Sequence, residues 1–136
     1  MKTYILTGIA TVGAVISALF GGWNSGLTTL VICMVIDYAT GLIVAGIFHR
    51  SPKSENGGME SRAGWKGLCR KGLTLLIVLV AARLDLATGA TVVRDGVVIA
   101  FTVNEVLSII ENAGLMGLPI PEVLKNAIEV LKKRGE

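Results

Sequence analysis

The chain alternates long apolar stretches with short polar ones. Residues 4–20 form one continuous apolar run and residues 27–48 a second. Both approach the roughly 20 residues a helix needs to cross a hydrocarbon core. Between them, Gly21-Gly22-Trp23-Asn24-Ser25-Gly26 is a turn-rich break with a tryptophan of the kind that sits at membrane interfaces. The first run reads as an uncleaved helix rather than a signal peptide, because residues 17–22 offer no small-x-small cleavage site before a polar start.

A third segment, residues 72–93, is weaker. Its apolar part, Leu73 to Ala82, is too short to span alone, and Arg83 and Asp85 follow it. Each such charge costs about 2.5–3.5 kcal/mol at a helix centre, against a return of about 0.3–0.6 kcal/mol per leucine. The segment is expected to insert as a hairpin with the next one, residues 96–114, with Arg94-Asp95 at the turn. Beyond Pro119-Ile120-Pro121, the stripe Val123, Leu124, Ala127, Ile128 and Leu131 predicts a short amphipathic helix. Pro121 suits its first turn, while Glu122 at the start and Lys132, Lys133 and Arg134 at the end complement its dipole. The expected fold is therefore an all-α integral membrane protein. It has about four transmembrane helices over residues 1–117 and a cytoplasmic amphipathic tail over residues 118–136.

Charge sets the orientation. Between Thr3 and Ile47 the only ionisable carboxylate is Asp37, with no lysine or arginine. Six basic residues (Arg50, Lys53, Arg62, Lys66, Arg70, Lys71) gather in the central loop 49–71, and four (Lys125, Lys132, Lys133, Arg134) in the tail. With four spans and a cytoplasmic N-terminus, every basic residue except Arg94 outside and Arg83 at depth lies on the cytoplasmic side, as the positive-inside rule demands. A three-span path would strand part of that charge outside. Composition agrees: 52% of the 136 residues are hydrophobic and only 17% charged, against about 25% in an ordinary soluble domain. This excludes a disordered chain, and two cysteines, Cys33 and Cys69, cannot staple a fold of this size. Blocks of charge between apolar runs also argue against a nucleic-acid partner.

Two surfaces are candidates for function. In the first segment Ala10, Ala14, Ala18 and Gly22 recur every four residues, as do Gly13, Ser17 and Gly21. Such spacing lets helix backbones approach closely in lipid, either within the chain or between copies. In the fourth segment Asn104, Glu105, Ser108, Glu111 and Asn112 fall within an arc of roughly 120°. A polar stripe at membrane depth must face protein or water. It therefore either ties neighbouring helices together or lines an aqueous path or an interface that opens. The second segment carries Thr29, Cys33, Asp37, Thr40 and Gly41 on one side. Arg83 is the basic residue expected to pair with Asp37 or Glu105, while Asp85 points about 200° away from it. Catalytic chemistry is not expected: His49 is the single histidine, no nucleophile or phosphate-cradling motif appears, and no metal or cofactor set is spaced for binding.

Three stretches carry a resemblance. Asp37-Tyr38-Ala39-Thr40-Gly41, Gly67-Leu68-Cys69-Arg70-Lys71-Gly72, and Asn104 to Gly114 followed by Gly117-Leu118-Pro119-Ile120-Pro121 are similar to the toxin-secretion/phage-lysis holin family. The likeness runs from Leu27 to Arg134, and the first segment matches only in character. It implies a multi-pass protein of the bacterial cytoplasmic membrane with no cofactor. It further implies homo-oligomers that open lesions, release an endolysin or toxin as cargo, with direct contact not implied, and collapse the proton-motive force. The competing readings are a small four-helix proton-coupled exporter and a membrane adaptor whose basic tail binds a cytoplasmic partner.

Overall fold

Five helices account for almost all of the chain in the computed structural model, which describes residues 1–53 and 56–135: α1 (Lys2–Leu19), α2 (Ser25–Gly46), α3 (Ser61–Thr88), α4 (Val93–Leu115) and α5 (Glu122–Gly135). No strand occurs among the described residues. Local sequence explains the boundaries. Helix α1 ends in a Schellman turn, with Gly22 N–H donating to the Ser17 carbonyl and Gly21 N–H to that of Ala18. Gly21 sits at φ 77° there, a conformation a side chain resists. Asn24 caps α2 by accepting the Leu27 N–H at 3.0 Å. Helix α3 stops at Gly89, φ 76°.

Two boundaries depart from the sequence expectation. Helix α3 starts at Ser61, so Trp65, Arg70 and Lys71 belong to a helix and not to the central loop. A run of basic residues resists the hydrocarbon core, but it does not resist helix formation, and nothing between Ser61 and Thr88 breaks a helix except glycines. The chain turns at Gly89–Val92, so Arg94 and Asp95 lie in the first turn of α4, where Asp95 complements the dipole.

Helices α2 and α4 run parallel and form the main contact of the bundle, with α3 antiparallel to both. Leu27, Leu30 and Met34 of α2, Val78 of α3 and Val98 of α4 make the apolar core. Phe20, Leu75, Val97 and Phe101 pack around it. This core sits at the end of the bundle where α2 and α4 begin. Towards the other end α3 splays away: its buried residues are Val78, Ala81 and Ala82, all in its second half. Helix α4 lies at the centre, touched by α2, α3 and α5. Helix α1 has no buried residue and meets only α3 lightly.

Outward faces are apolar. On α3, Leu73, Leu76, Ile77, Val80 and Leu84 are all exposed and fall on one side of the helix. Helices α1 and α2 are apolar enough and long enough to cross a membrane. In α5, Ile128 is buried beside α4, and Val123 and Val130 are exposed. The side chains of Leu131, Lys132 and Arg134 lie outside the described residues.

Candidate functional site

Where α3 leans away, three charged side chains meet between α2, α3 and α4. Lys71 Nζ donates to Asp37 Oδ2 and to Glu105 Oε2, each at 2.8 Å. The three side chains are only 16%, 8% and 13% exposed, respectively. Asn112, buried seven residues beyond Glu105 and so on the same face of α4, extends the cluster. Its Nδ2 donates to Thr40 Oγ1 at 2.8 Å, to Asp37 Oδ1 at 3.1 Å and to the Asp37 carbonyl at 3.2 Å. Gly41 lies beside this contact, its Cβ position 3.9 Å from Asn112 Nδ2, an ordinary packing distance. Among the described residues, no buried side-chain nitrogen or oxygen is left without a partner.

The neighbouring tyrosine completes the fit. Tyr38 lays its ring against Gly67 and donates its hydroxyl to the Gly64 carbonyl at 3.3 Å. Two glycines three apart on α3 thus form the seat for an aromatic ring from α2. The Asp37-Tyr38 pair of α2 therefore carries charge to Lys71 and an aromatic ring to the glycines of α3.

Depth explains why Lys71, and not Arg83, meets the acids. Asp37 and Glu105 each lie twelve residues into their helices, about 18 Å from the ends where α2 and α4 begin. Arg83 lies five residues from the adjacent end of α3, about 7.5 Å. It is exposed, and no ion pair forms on it among the described residues. The expected Asp37–Arg83 or Glu105–Arg83 pair is therefore absent. Reading Lys71 as a loop residue hid the true partner. Lys71 lies seventeen residues from that same end of α3, about 25.5 Å, so it is nearer in depth to the acids than Arg83 is, and its long side chain spans the remainder.

The remaining polar residues of α4 divide. Ser108 is half-buried and lines a cleft beside the cluster, whereas Asn104 and Glu111 are exposed, Glu111 at the cleft's edge. Asp85 has another duty. Its Oδ1 and Oδ2 accept the backbone N–H groups of Val93 and Arg94 at 3.1 and 2.9 Å, capping α4 from α3. Arg94, unremarked in the sequence beyond its turn, donates Nη1 to the carbonyls of Phe20 and Gly22 at 2.6 and 2.8 Å. It ties the end of α1 to the start of α4. The small residues Ala10, Gly13, Ala14, Ala18 and Gly22 are exposed, as is Gly21, whose Cβ position meets Arg94 Nη1 at 3.4 Å. Ser17 Oγ accepts the Trp23 N–H at 3.0 Å.

The cleft has a volume of about 820 Å³ and opens between α2, the first half of α3, and residues 51–53 and 58–60. Its floor is the charged cluster, with Glu105, Ser108 and Asn112 on one wall. No three His, Cys, Asp or Glu side chains converge as a metal ion requires, among the described residues. What the arrangement offers is a recess reaching ionisable groups at the middle of long helices.

The model of a family described as the bacteriophage holin family matches residues 14–133. An uncharacterised protein of Halalkalibacterium halodurans is 37% identical, with 97% of this chain and 96% of that one covered. An uncharacterised 14.9 kDa protein from the nagH 3′ region of Clostridium perfringens is 36% identical over 96% and 95%. A probable holin of Bacillus phage phi105 is 32% identical, covering 81% of this chain and 76% of its own. No solved structure matches the chain.

Proposed function

Because this chain belongs to the bacteriophage holin family, we propose that it accumulates in the bacterial cytoplasmic membrane and then assembles with copies of itself into lesions that release macromolecules. The observation that carries this reading is the ion cluster at the centre of helices whose outer faces are apolar. Charges at that depth are costly in lipid and are tolerated when they face protein or water. In the resting chain Lys71 satisfies Asp37 and Glu105 internally. In an assembly the cleft face of α2, α3 and α4 turns towards a water-filled lumen, and the same groups are satisfied by solvent. The released cargo is an endolysin or a toxin, which needs passage and no specific contact.

Four spans fit this role, with both termini in the cytoplasm. The lipid-facing stripe of α3, from Leu73 to Leu84, supports its crossing despite the charges at either end of it. Helix α4 carries the polar stripe, and it is the one surrounded by its neighbours. Helix α1 supplies the surface for self-association, since Ala10, Gly13, Ala14 and Ala18 are all exposed. Parallel contact through Ala10, Ala14 and Ala18 or through Gly13 and Ser17 brings copies together without moving the α2–α4 core.

One observation favours a second reading, a small proton-coupled exporter: a sizeable cleft reaching membrane carboxylates. Induced expression in bacteria separates the two. A holin releases a cytoplasmic enzyme abruptly and stops respiration, whereas an exporter shifts tolerance to small cations without lysis. Slow loss of a small dye alone, with macromolecules retained at high expression, contradicts the holin reading.

A further inference from the structure

The mouth of the cleft has a property that its floor does not explain. Lys66 and Arg70 stand one turn apart on α3, on the same face, and both line the opening, with Lys53 across from them. All three are exposed, and no carboxylate pairs with any of them among the described residues. Of the acids lining the cleft, Asp37 and Glu105 are already engaged by Lys71, which leaves Glu60 and Glu111 against three cations. Arg70 lies nine residues into α3, about 13.5 Å below its first residue. A guanidinium below the headgroups requires an anion or water to reach it.

We propose that this mouth binds the phosphate of an anionic phospholipid of the surrounding bilayer. Arg70 presents its planar fork to the phosphate oxygens and Lys66 adds a point charge from one turn higher. Trp65 and Leu68, 69% and 48% exposed and both lining the cleft, lie against the glycerol and the upper acyl chain. That apolar flank is what selects a lipid over a free anion. The bound lipid wedges α3 away from α2 and holds the cleft in its open shape. The inference rests on the membrane orientation given under the proposed function, because it needs the start of α3 at a headgroup surface.

The test uses the full chain carrying Trp23→Phe, so that Trp65 is the sole tryptophan, in phosphatidylcholine vesicles. Brominated phosphatidylglycerol or brominated phosphatidylcholine is then titrated in. The expected result is stronger quenching of Trp65 by the anionic lipid, with a preference that falls about five-fold or more in Lys66→Gln/Arg70→Gln, the weight of at least one interfacial charge. Glu111→Gln strengthens the preference, and Arg62→Gln, on α3 but outside the cleft, leaves it unchanged. Should the double variant lose its helical circular dichroism, Arg70→Lys keeps the charge, loses the fork, and is expected to give an intermediate loss. Equal quenching by both lipids, or a preference unaffected by these variants, overturns the inference. So does full competition by inorganic phosphate, which would mark a free-anion site. The readout needs insertion but not lysis. A chain that lyses cells yet shows no lipid preference defeats this inference alone, and one that never permeabilises cells defeats the functional reading alone.

Discussion

Asp37 concentrates the most interactions of any residue in the cluster: it accepts from Lys71, and from Asn112 through both carboxylate and carbonyl. Removing one member of a buried ion pair leaves the other charge uncompensated, which costs about 3–5 kcal/mol. Lys71→Met is therefore expected to lower the unfolding midpoint in detergent steeply and to advance the onset of lysis. Asn112→Leu removes donors from Asp37 and Thr40 and is expected to cost about 1–3 kcal/mol. Arg83→Gln removes an exposed group with no ion-pair partner among the described residues, so a stability change within about 0.5 kcal/mol is expected in the same assay. A large loss in Arg83→Gln with none in Lys71→Met would reverse the assignment. At this scale the sequence disclosed the acids and hid the base. Asp37 and Glu105 stand out as charges inside apolar or striped helices, while Lys71 looks like the last member of a basic block. Only the packing of three helices shows that its ammonium turns inward.

Helices, by contrast, were largely legible. Apolar length located α1 and α2, and the amphipathic stripe located α5. What the pattern did not disclose was the start of α3, because a basic stretch in a membrane chain reads as a loop whether or not it is helical. It also did not disclose the coupling at the far end of the bundle, where Asp85 caps α4 and Arg94 closes α1. Both depend on a turn placed a few residues earlier than expected. Helix α1 has no buried residue, so Arg94 is the main polar tie that fixes its angle. Arg94→Ala is expected to leave the α2–α4 core intact while increasing the mobility of α1, read by a spin label at residue 12 on a background lacking Cys33 and Cys69. Gly21→Ala acts at the same joint. It places a methyl group in a left-handed turn, costing about 1–2 kcal/mol, and crowds the Arg94 guanidinium. Unchanged label mobility in both variants would show that α1 is held by something else.

For the whole molecule, the layout separates two tasks. The apolar core where α2 and α4 begin keeps the bundle folded, and the polar cluster with its cleft provides a face whose satisfaction depends on what surrounds it. The orientation carries its own prediction. Cysteines placed at residues 91 and 118, again without Cys33 and Cys69, are expected to react with an impermeant maleimide from opposite sides of the membrane, residue 91 from outside. Labelling of both from one side would require an odd number of crossings. The all-helical class followed from the hydropathy pattern. The α2–α4 pairing did not, because a parallel pair separated by a whole helix leaves no local trace in the chain.

The most direct test follows release of a cytoplasmic enzyme from bacteria, in time, after synchronous induction of the intact chain and of Lys71→Met at matched membrane levels. The account predicts a silent interval followed by abrupt release for the intact chain, and a shorter interval for the variant whose buried carboxylates have lost their cation. Enzyme retained indefinitely in both cultures, with the protein inserted and abundant, would contradict it.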